Sequence, residues 1–183
     1  MSKTVAERLW REALVIDGLT FYGDGDAGGL QAAGIAAVNM TVSHFEADFE
    51  TAFDELAEWR ARIAAPTSPW RLIERVDDIE AARAAGAVGL IMGWQNLRPI
   101  ADKLERLHLA HAAGLRIAQL TYNRRNFMGD GCLERADAGL STLGEQAVAV
   151  MNKLGIAVDL SHVGEQACLR ACEVSAAPVL VTH

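Results

Sequence analysis

The chain has 183 residues, of which 51% are hydrophobic and 22% are charged, and its formal net charge is −7. These values are typical of one globular domain with its own core, and they exclude a disordered chain. The negative charge and the lack of a lysine- and arginine-rich block argue against a nucleic-acid partner and against attachment to an anionic membrane.

The N-terminal stretch MSKTVAERLWREALVIDG mixes charged and apolar residues, which is the pattern of neither a signal peptide nor a transmembrane helix. The chain has three cysteines, and Cys168 and Cys172 lie four residues apart in a helical pattern. An odd number with this spacing does not indicate a disulfide framework. We therefore expect a cytoplasmic protein whose thiols are free.

Strand-like runs alternate with helical runs along the chain. Runs rich in valine and isoleucine predict strands at 13–18, 35–41, 88–93, 116–122, 156–161 and 178–183. Helical periodicity between them predicts helices at 49–65, 99–114, 142–155 and about 164–174. The third of these helices begins at Thr142, with Glu145 as its capping-box partner, and ends at Gly155.

This alternation favours parallel strands joined by helical crossovers, either as an open doubly wound sheet or as a barrel. No GxGxxG motif follows the first strand, which disfavours a dinucleotide-binding sheet. A complete barrel needs roughly 250 residues. We therefore predict an α/β fold of the (β/α)8 TIM-barrel type, with about six of eight β/α units forming a single, incomplete domain over 1–183.

Two predicted strands end on histidines, His162 and His183. Functional side chains of barrels lie at the C-terminal ends of strands, and neutral imidazole is a common zinc ligand. The alternative is two ordinary histidines bonded to loop backbone. His108 and His111 lie three apart without an HExxH motif and are expected to be partly buried and structural, and His44 stays unassigned.

Carboxylates and a polar loop lie near the same predicted strand ends. Asp17 and Asp159 are placed to bind a metal, to orient a ligand histidine, or to cap the next helix. The loop 123–141 is long and polar, which is typical of functional loops. Its Arg124 and Arg125 are suited to hold a substrate carboxylate, although an exposed loop with internal ion pairs is equally consistent.

Four stretches resemble the membrane (renal) dipeptidase family of metal-dependent (β/α)8 amidohydrolases. They are GLRIAQLTYN (114–123), GDGCLERADAGLS (129–141), MNKLGIAVDLSHVGEQ (151–166) and APVLVTH (177–183). The resemblance implies a hydrolase in which a metal-activated water attacks the amide bond of a dipeptide or a small N-acyl amino acid. It also implies that His162 and His183 occupy metal-ligand positions.

The chain departs from this family where further ligands are expected. Leu19 and Phe21 stand in place of an HxD pair, Gln95 in place of a bridging glutamate, and Tyr122 in place of a histidine. Two zinc ions without a carboxylate between them would repel each other strongly, so we expect one zinc ion at most, or none. The expected site residues are the metal ligands His162, His183 and Asp17, the catalytic residues Asp159 and Gln95, and the substrate contacts Tyr122, Arg124 and Arg125.

Family members continue through two further strands, so we expect this chain to be a truncated form. Two alternatives stay open at this point. One is a divergent barrel with a lost or reduced metal site, which acts on or binds another small amine or amide. The other is a non-catalytic scaffold that assembles through its open sheet edge, with a homo-oligomer as the expected form.

Overall fold

A computed structural model describes residues 4–21 and 26–183. Its strands within these ranges are β1 (Val15–Thr20), β2 (Ile35–Thr41), β3 (Trp70–Leu72), β4 (Val88–Trp94), β5 (Leu115–Gln119) and β6 (Ala157–Asp159). Its helices are α1 (Val5–Glu12), α2 (Ala27–Ala33), α3 (Phe49–Ala64), α4 (Val76–Ala84), α5 (Glu105–Ala112), α6 (Thr142–Leu154) and α7 (Glu165–Val174). No helix in the described ranges is long and apolar enough to cross a membrane.

The strands form one parallel sheet in the order β1-β2-β4-β5-β6. The short strand β3, which the sequence did not predict, pairs with the first residues of β4. It has three residues and follows Pro69, so it is too short to show a hydrophobic period. The first five predicted strands correspond to β1, β2, β4, β5 and β6.

The sixth predicted strand, 178–183, is wrong as a strand. Only Leu180 pairs with the sheet: its N–H donates to the Val158 carbonyl at 2.8 Å, and its carbonyl accepts from the Leu160 N–H at 2.8 Å. Beyond it, the N–H groups of Thr182 and His183 donate to the Ser161 hydroxyl, at 3.0 and 3.3 Å. The chain does not continue as a strand after Leu180, because the Ser161 hydroxyl accepts the N–H groups that would otherwise pair with β6.

Two of the predicted helices also need correction. The predicted helix 99–114 is a 3₁₀ turn, Arg98–Ile100, followed by α5, because Ala101 between them has a φ of 52° that no helix accommodates. The cap of α6 is Ser141 rather than Thr142, since the Ser141 hydroxyl accepts from the Gly144 N–H at 2.9 Å. The predicted helices at 49–65 and 164–174 are confirmed as α3 and α7.

The sheet has an apolar face under the helices and a more polar opposite face. Val38, Met40, Leu90 and Met92 are fully buried in the core that α3, α5, α6 and α7 share. Residues of the other parity include buried polar side chains, as at Gln119. The sheet curls so far that its first strand meets the segment after its last strand. A Cβ built on Gly18 of β1 would lie only 3.0 Å from the Thr182 carbonyl oxygen. This curled sheet with an outer helical layer is the predicted barrel type, formed in part.

Candidate metal and substrate site

The C-terminal ends of β4, β5 and β6 lie at one edge of the curled sheet. Ala101, Asn123 and His162, which follow these strands, are the non-glycine residues with positive φ in the described ranges, at 52°, 61° and 62°. Left-handed backbone is costly for such residues and occurs often at functional sites. The strained backbone therefore indicates a functional site at this edge of the sheet.

His162 and His183 face each other at this edge. Their Nε2 atoms lie 3.0 Å apart, and their ring centroids lie 4.9 Å apart. His162 follows β6 and is half-buried, whereas His183 is exposed. The structure thus brings together the two histidines that the strand-end pattern selected.

The side chain of Asn123 sets the tautomer of His162. His162 Nδ1 lies 2.8 Å from Asn123 Oδ1. An amide oxygen can only accept a hydrogen bond, so Nδ1 carries the proton and donates. The neutral ring then has its lone pair on Nε2, which is the atom that faces His183.

Thr182 sets the tautomer of His183 in the same way. Its hydroxyl donates to Asp159 Oδ2 at 2.6 Å, which uses its only hydrogen. The same oxygen lies 2.9 Å from His183 Nδ1 and must accept from it. His183 is therefore protonated on Nδ1 as well, and its Nε2 lone pair points towards His162.

Two lone pairs 3.0 Å apart repel each other unless a cation lies between them. Burial, followed by the neighbouring His183, lowers the pKa of His162, so this ring is neutral and available as a ligand at neutral pH. Two zinc–nitrogen bonds of about 2.0–2.1 Å are long enough to span the gap. The donor pair therefore fits one metal ion.

Asp159 is connected to His183 through the Thr182 hydroxyl. It is buried, and its Oδ1 accepts from the Ser161 N–H at 3.0 Å and from the Ser161 hydroxyl at 2.7 Å. Its Oδ2 accepts from the Thr182 hydroxyl. With both oxygens occupied, this carboxylate fastens the segment carrying His183 to the end of β6.

Gln95 and Asp17 are not hydrogen-bonded to His162 or His183 in the described part of the chain. Gln95 is buried and donates from Nε2 to the Thr41 hydroxyl at 2.9 Å. Asp17 is half-buried on β1 and accepts from the Leu19 N–H at 3.1 Å. In residues 4–21 and 26–183, no three His, Cys, Asp or Glu side chains are grouped to hold an ion. The structure therefore does not bring Asp17 into a ligand group with the histidines.

Tyr122 stacks on His162, one of the two metal-ligand candidates. Its ring stacks on His162 with centroids 4.3 Å apart and on Phe45 with centroids 4.1 Å apart. His44 stacks on the outer side of Phe45 at 4.3 Å. This column of rings restricts the rotation of the His162 imidazole.

The two predicted substrate arginines differ in their partners. Arg125 forms a two-pronged ion pair with Asp130, with 3.0 Å from its Nη2 to Oδ2. Arg124 makes one long hydrogen bond, 3.4 Å from Nη1 to the Leu133 carbonyl. Arg124 therefore keeps most of its donors for a ligand, whereas Arg125 holds its own loop together.

The remaining histidines lie outside this arrangement. His111 is half-buried, and burial is the main cause that lowers its pKa. His108 is exposed on α5, which corrects the expectation that it is partly buried. Asn123, Thr182 and Phe45, in contrast, belong to the site and were not selected from the sequence. Only the position of Asn123 beside Tyr122 in LTYN, and of Thr182 beside His183 in VTH, could have indicated these two residues, and no sequence signal indicated Phe45.

The family model of the membrane dipeptidases, peptidase family M19, matches residues 26–183. The Dipeptidase tcpJ of Claviceps purpurea is 32% identical over 114 residues, which are 61% of this chain and 27% of that protein. The Dipeptidase aclJ of Aspergillus oryzae is 35% identical over 100 residues, which are 54% of this chain and 24% of that protein.

Solved structures show the same fold. An amidohydrolase from Pseudomonas aeruginosa superimposes with a TM-score of 0.90 and 31% identity, over 97% of this chain and 55% of that one. A metallopeptidase from Rhodobacter sphaeroides, liganded with a phosphinate mimic of the dipeptide L-Ala-D-Ala, gives 0.80 and 21% identity, over 93% and 64%. The chain thus spans little more than half of the Pseudomonas protein. The match over most of its residues shows that this chain belongs to the membrane dipeptidase family, peptidase family M19.

Proposed function

We propose that this chain carries part of the active site of a metal-dependent hydrolase that cleaves the amide bond of dipeptides or small N-acyl amino acids. One observation carries the proposal: the Nε2 lone pairs of His162 and His183 converge at 3.0 Å. Membership of the M19 family supports the reaction class. The proposed ion is zinc, which favours imidazole nitrogen.

A metal bound there would polarise the substrate carbonyl and activate a water molecule. Asn123 and Thr182 present the imidazoles in the ligating tautomer, and Asp159 positions His183 through Thr182. We therefore assign Asp159 to positioning rather than to proton transfer.

The proposed stoichiometry is one ion per chain. Gln95 is neutral and bonded to Thr41, and Leu19 and Phe21 are apolar, so no carboxylate is available at these positions to hold two dications together. Tyr122 and Arg124 are the proposed substrate contacts, because both line a cavity beside the histidine pair.

Metal binding tests the proposal directly. Equilibrium dialysis against zinc should give one ion per chain, and His162→Ala and His183→Ala should each abolish it. His108→Ala is the matched control and should bind zinc like the unmodified chain. L-Ala-D-Ala is the first dipeptide to assay, since a mimic of it binds the Rhodobacter relative. Zinc binding that survives both substitutions would contradict the proposal.

We further propose a cytoplasmic location. Cys132, Cys168 and Cys172 are all free thiols, which suits a reducing compartment.

A further inference from the structure

A cavity of about 800 Å³ opens at the same strand ends as the histidine pair. Its walls come from the start of α3, the segment after β4 and the loop after β5. Tyr122 lines it and also stacks on His162, so the cavity is adjacent to the proposed metal site. Its volume lies within the range of small-molecule sites, roughly 300–1,000 Å³.

Two guanidinium groups in this cavity have no anionic partner within the described residues. Arg106 lies over the Phe49 ring at 4.0 Å and donates to the carbonyls of Pro99 and Ile100, at 3.1 and 3.4 Å. Arg124 has only its long bond to a carbonyl. Neither guanidinium group therefore forms an ion pair with a carboxylate of the described residues.

The acidic residues of the cavity leave the donors of these two arginines free. Glu46 is paired with Arg98 at 2.5 Å. Asp48 caps α3, where its Oδ1 accepts from the Thr51 N–H at 3.0 Å, and the helix N-terminus stabilises its charge. The free guanidinium donors of Arg106 and Arg124, rather than a net positive charge of the cavity, favour a carboxylate ligand.

Aromatic rings complete the cavity wall. Phe127, which is 58% exposed, lines it together with Phe49 and Tyr122. A large apolar side chain held open beside free cationic groups is typical of a site for an amphipathic ligand. Ala101, with its strained backbone, lines the same cavity.

We propose that this cavity binds a small carboxylate that carries an aromatic or large apolar group. The carboxylate would contact Arg124 and Arg106, and the apolar group would lie against Phe127. The identification of this ligand as the substrate rests on the proposed function. That substrate would be a dipeptide or N-acyl amino acid with an aromatic C-terminal residue. Binding itself does not require the metal.

Isothermal titration calorimetry of the EDTA-treated chain tests the proposal with three probes: N-acetyl-L-phenylalanine, its amide N-acetyl-L-phenylalaninamide, and N-acetylglycine. The first should bind at least about tenfold more tightly than the other two, since charge-assisted hydrogen bonds and aromatic burial both favour it. Equal affinity for the acid and the amide would overturn the role of the arginines. Equal affinity for the two acids would overturn the aromatic contact.

Substitutions locate the contacts. Arg124→Ala should weaken N-acetyl-L-phenylalanine about tenfold or more and leave the amide unchanged. Arg135→Ala, an exposed arginine of the same loop outside the cavity lining, should change neither. Phe127→Ala should weaken both phenylalanine derivatives and leave N-acetylglycine unchanged, whereas Leu133→Ala, of similar exposure, should change none of the three. Arg124→Lys keeps the charge and removes the planar guanidinium group, and it serves as the test if the alanine variant misfolds. With unchanged thermal unfolding it should bind N-acetyl-L-phenylalanine more weakly, and unchanged affinity would overturn the contact with the guanidinium group.

Two outcomes separate this inference from the proposed function. Tight binding of N-acetyl-L-phenylalanine by the unmodified chain, together with no zinc binding and no dipeptide hydrolysis, would support the cavity and contradict only the hydrolase. Zinc-dependent hydrolysis without preference for aromatic carboxylates would overturn only the cavity assignment.

Discussion

The hydroxyl of Thr182 connects the buried carboxylate of Asp159 to the imidazole of His183. It donates to Asp159 Oδ2 at 2.6 Å and accepts from His183 Nδ1 at 2.9 Å. A carboxylate linked in this way to a ligand histidine fixes the orientation and the tautomer of the ring. The proposed metal site therefore depends on a residue that carries no charge.

Replacing Thr182 with valine should weaken zinc binding about 10- to 100-fold. The substitution keeps the shape and removes the hydroxyl, so His183 Nδ1 loses its acceptor and its tautomer is no longer fixed. Dialysis measures the affinity, and ¹⁵N NMR of the metal-free protein should show His183 as a mixture of tautomers. Thr182→Ser keeps the hydroxyl and should restore both properties. A valine variant with unmodified affinity and a single His183 tautomer would show that Thr182 is only structural.

Much of the fold was predictable because near-continuous apolar runs identify buried parallel strands without tertiary information. The segment 178–183 has the same pattern but differs in structure. The Ser161 hydroxyl, about twenty residues earlier in the chain, takes the N–H groups that a strand would give to the sheet. That side-chain contact exists only once β6 and this segment are adjacent, so no local pattern reports it.

The site was predictable to a similar degree. Strand ends indicated where His162 and His183 lie, but their tautomers depend on Asn123 and Thr182, which only the folded chain brings into contact with them. Likewise, the sequence shows two adjacent arginines in a polar loop. Only the fold shows that Arg125 is paired with Asp130 while Arg124 is available.

Gly144 should be intolerant of alanine although it lies in α6. A Cβ there would collide with the Met128 carbonyl oxygen, which belongs to the loop after β5. We expect Gly144→Ala to lower the free energy of unfolding by about 1–3 kcal/mol, measured by urea denaturation. Gly29→Ala on α2 is the matched control, since a Cβ there meets nothing within 4 Å. It should stabilise the protein by about 0.5–1 kcal/mol. Equal effects at both positions would show that this loop does not pack on α6.

The ion pair between Arg125 and Asp130 should make stability depend on pH. The hydrogen bond from Arg125 is the main cause that lowers the pKa of Asp130, which is 2% exposed. At low pH the unfolded chain then binds more protons than the folded chain, so stability rises with pH in that range. The contribution is complete above the unfolded-state pKa of about 3.9 and is lost as the pH falls through the lower folded-state pKa.

Asp130→Asn should therefore reduce the free energy of unfolding by about 1–3 kcal/mol at pH 7. Urea denaturation at pH 7 and near pH 3 measures the difference, which should shrink at the lower pH because the unfolded chain takes up a proton at Asp130 before the folded chain does. Asp102→Asn, at an exposed position, should have little effect at either pH. A difference that stays constant with pH would mean that the ion pair does not stabilise the fold.

Cys168 should be the least reactive of the three thiols. Burial is the main cause that raises its pKa to about 11, and its Sγ–H donates to the carbonyls of Leu160 and Val163 at 3.6 and 3.7 Å. At pH 8 only about one molecule in a thousand would carry the Cys168 thiolate, the form that attacks an alkylating agent. Iodoacetamide at pH 8 should therefore modify the exposed Cys132 and Cys172 and spare Cys168, as peptide mass spectrometry can measure. In urea all three should react, because unfolding removes the burial. Equal labelling of all three cysteines in the folded protein would show that the Cys168 thiol on α7 is not shielded from solvent.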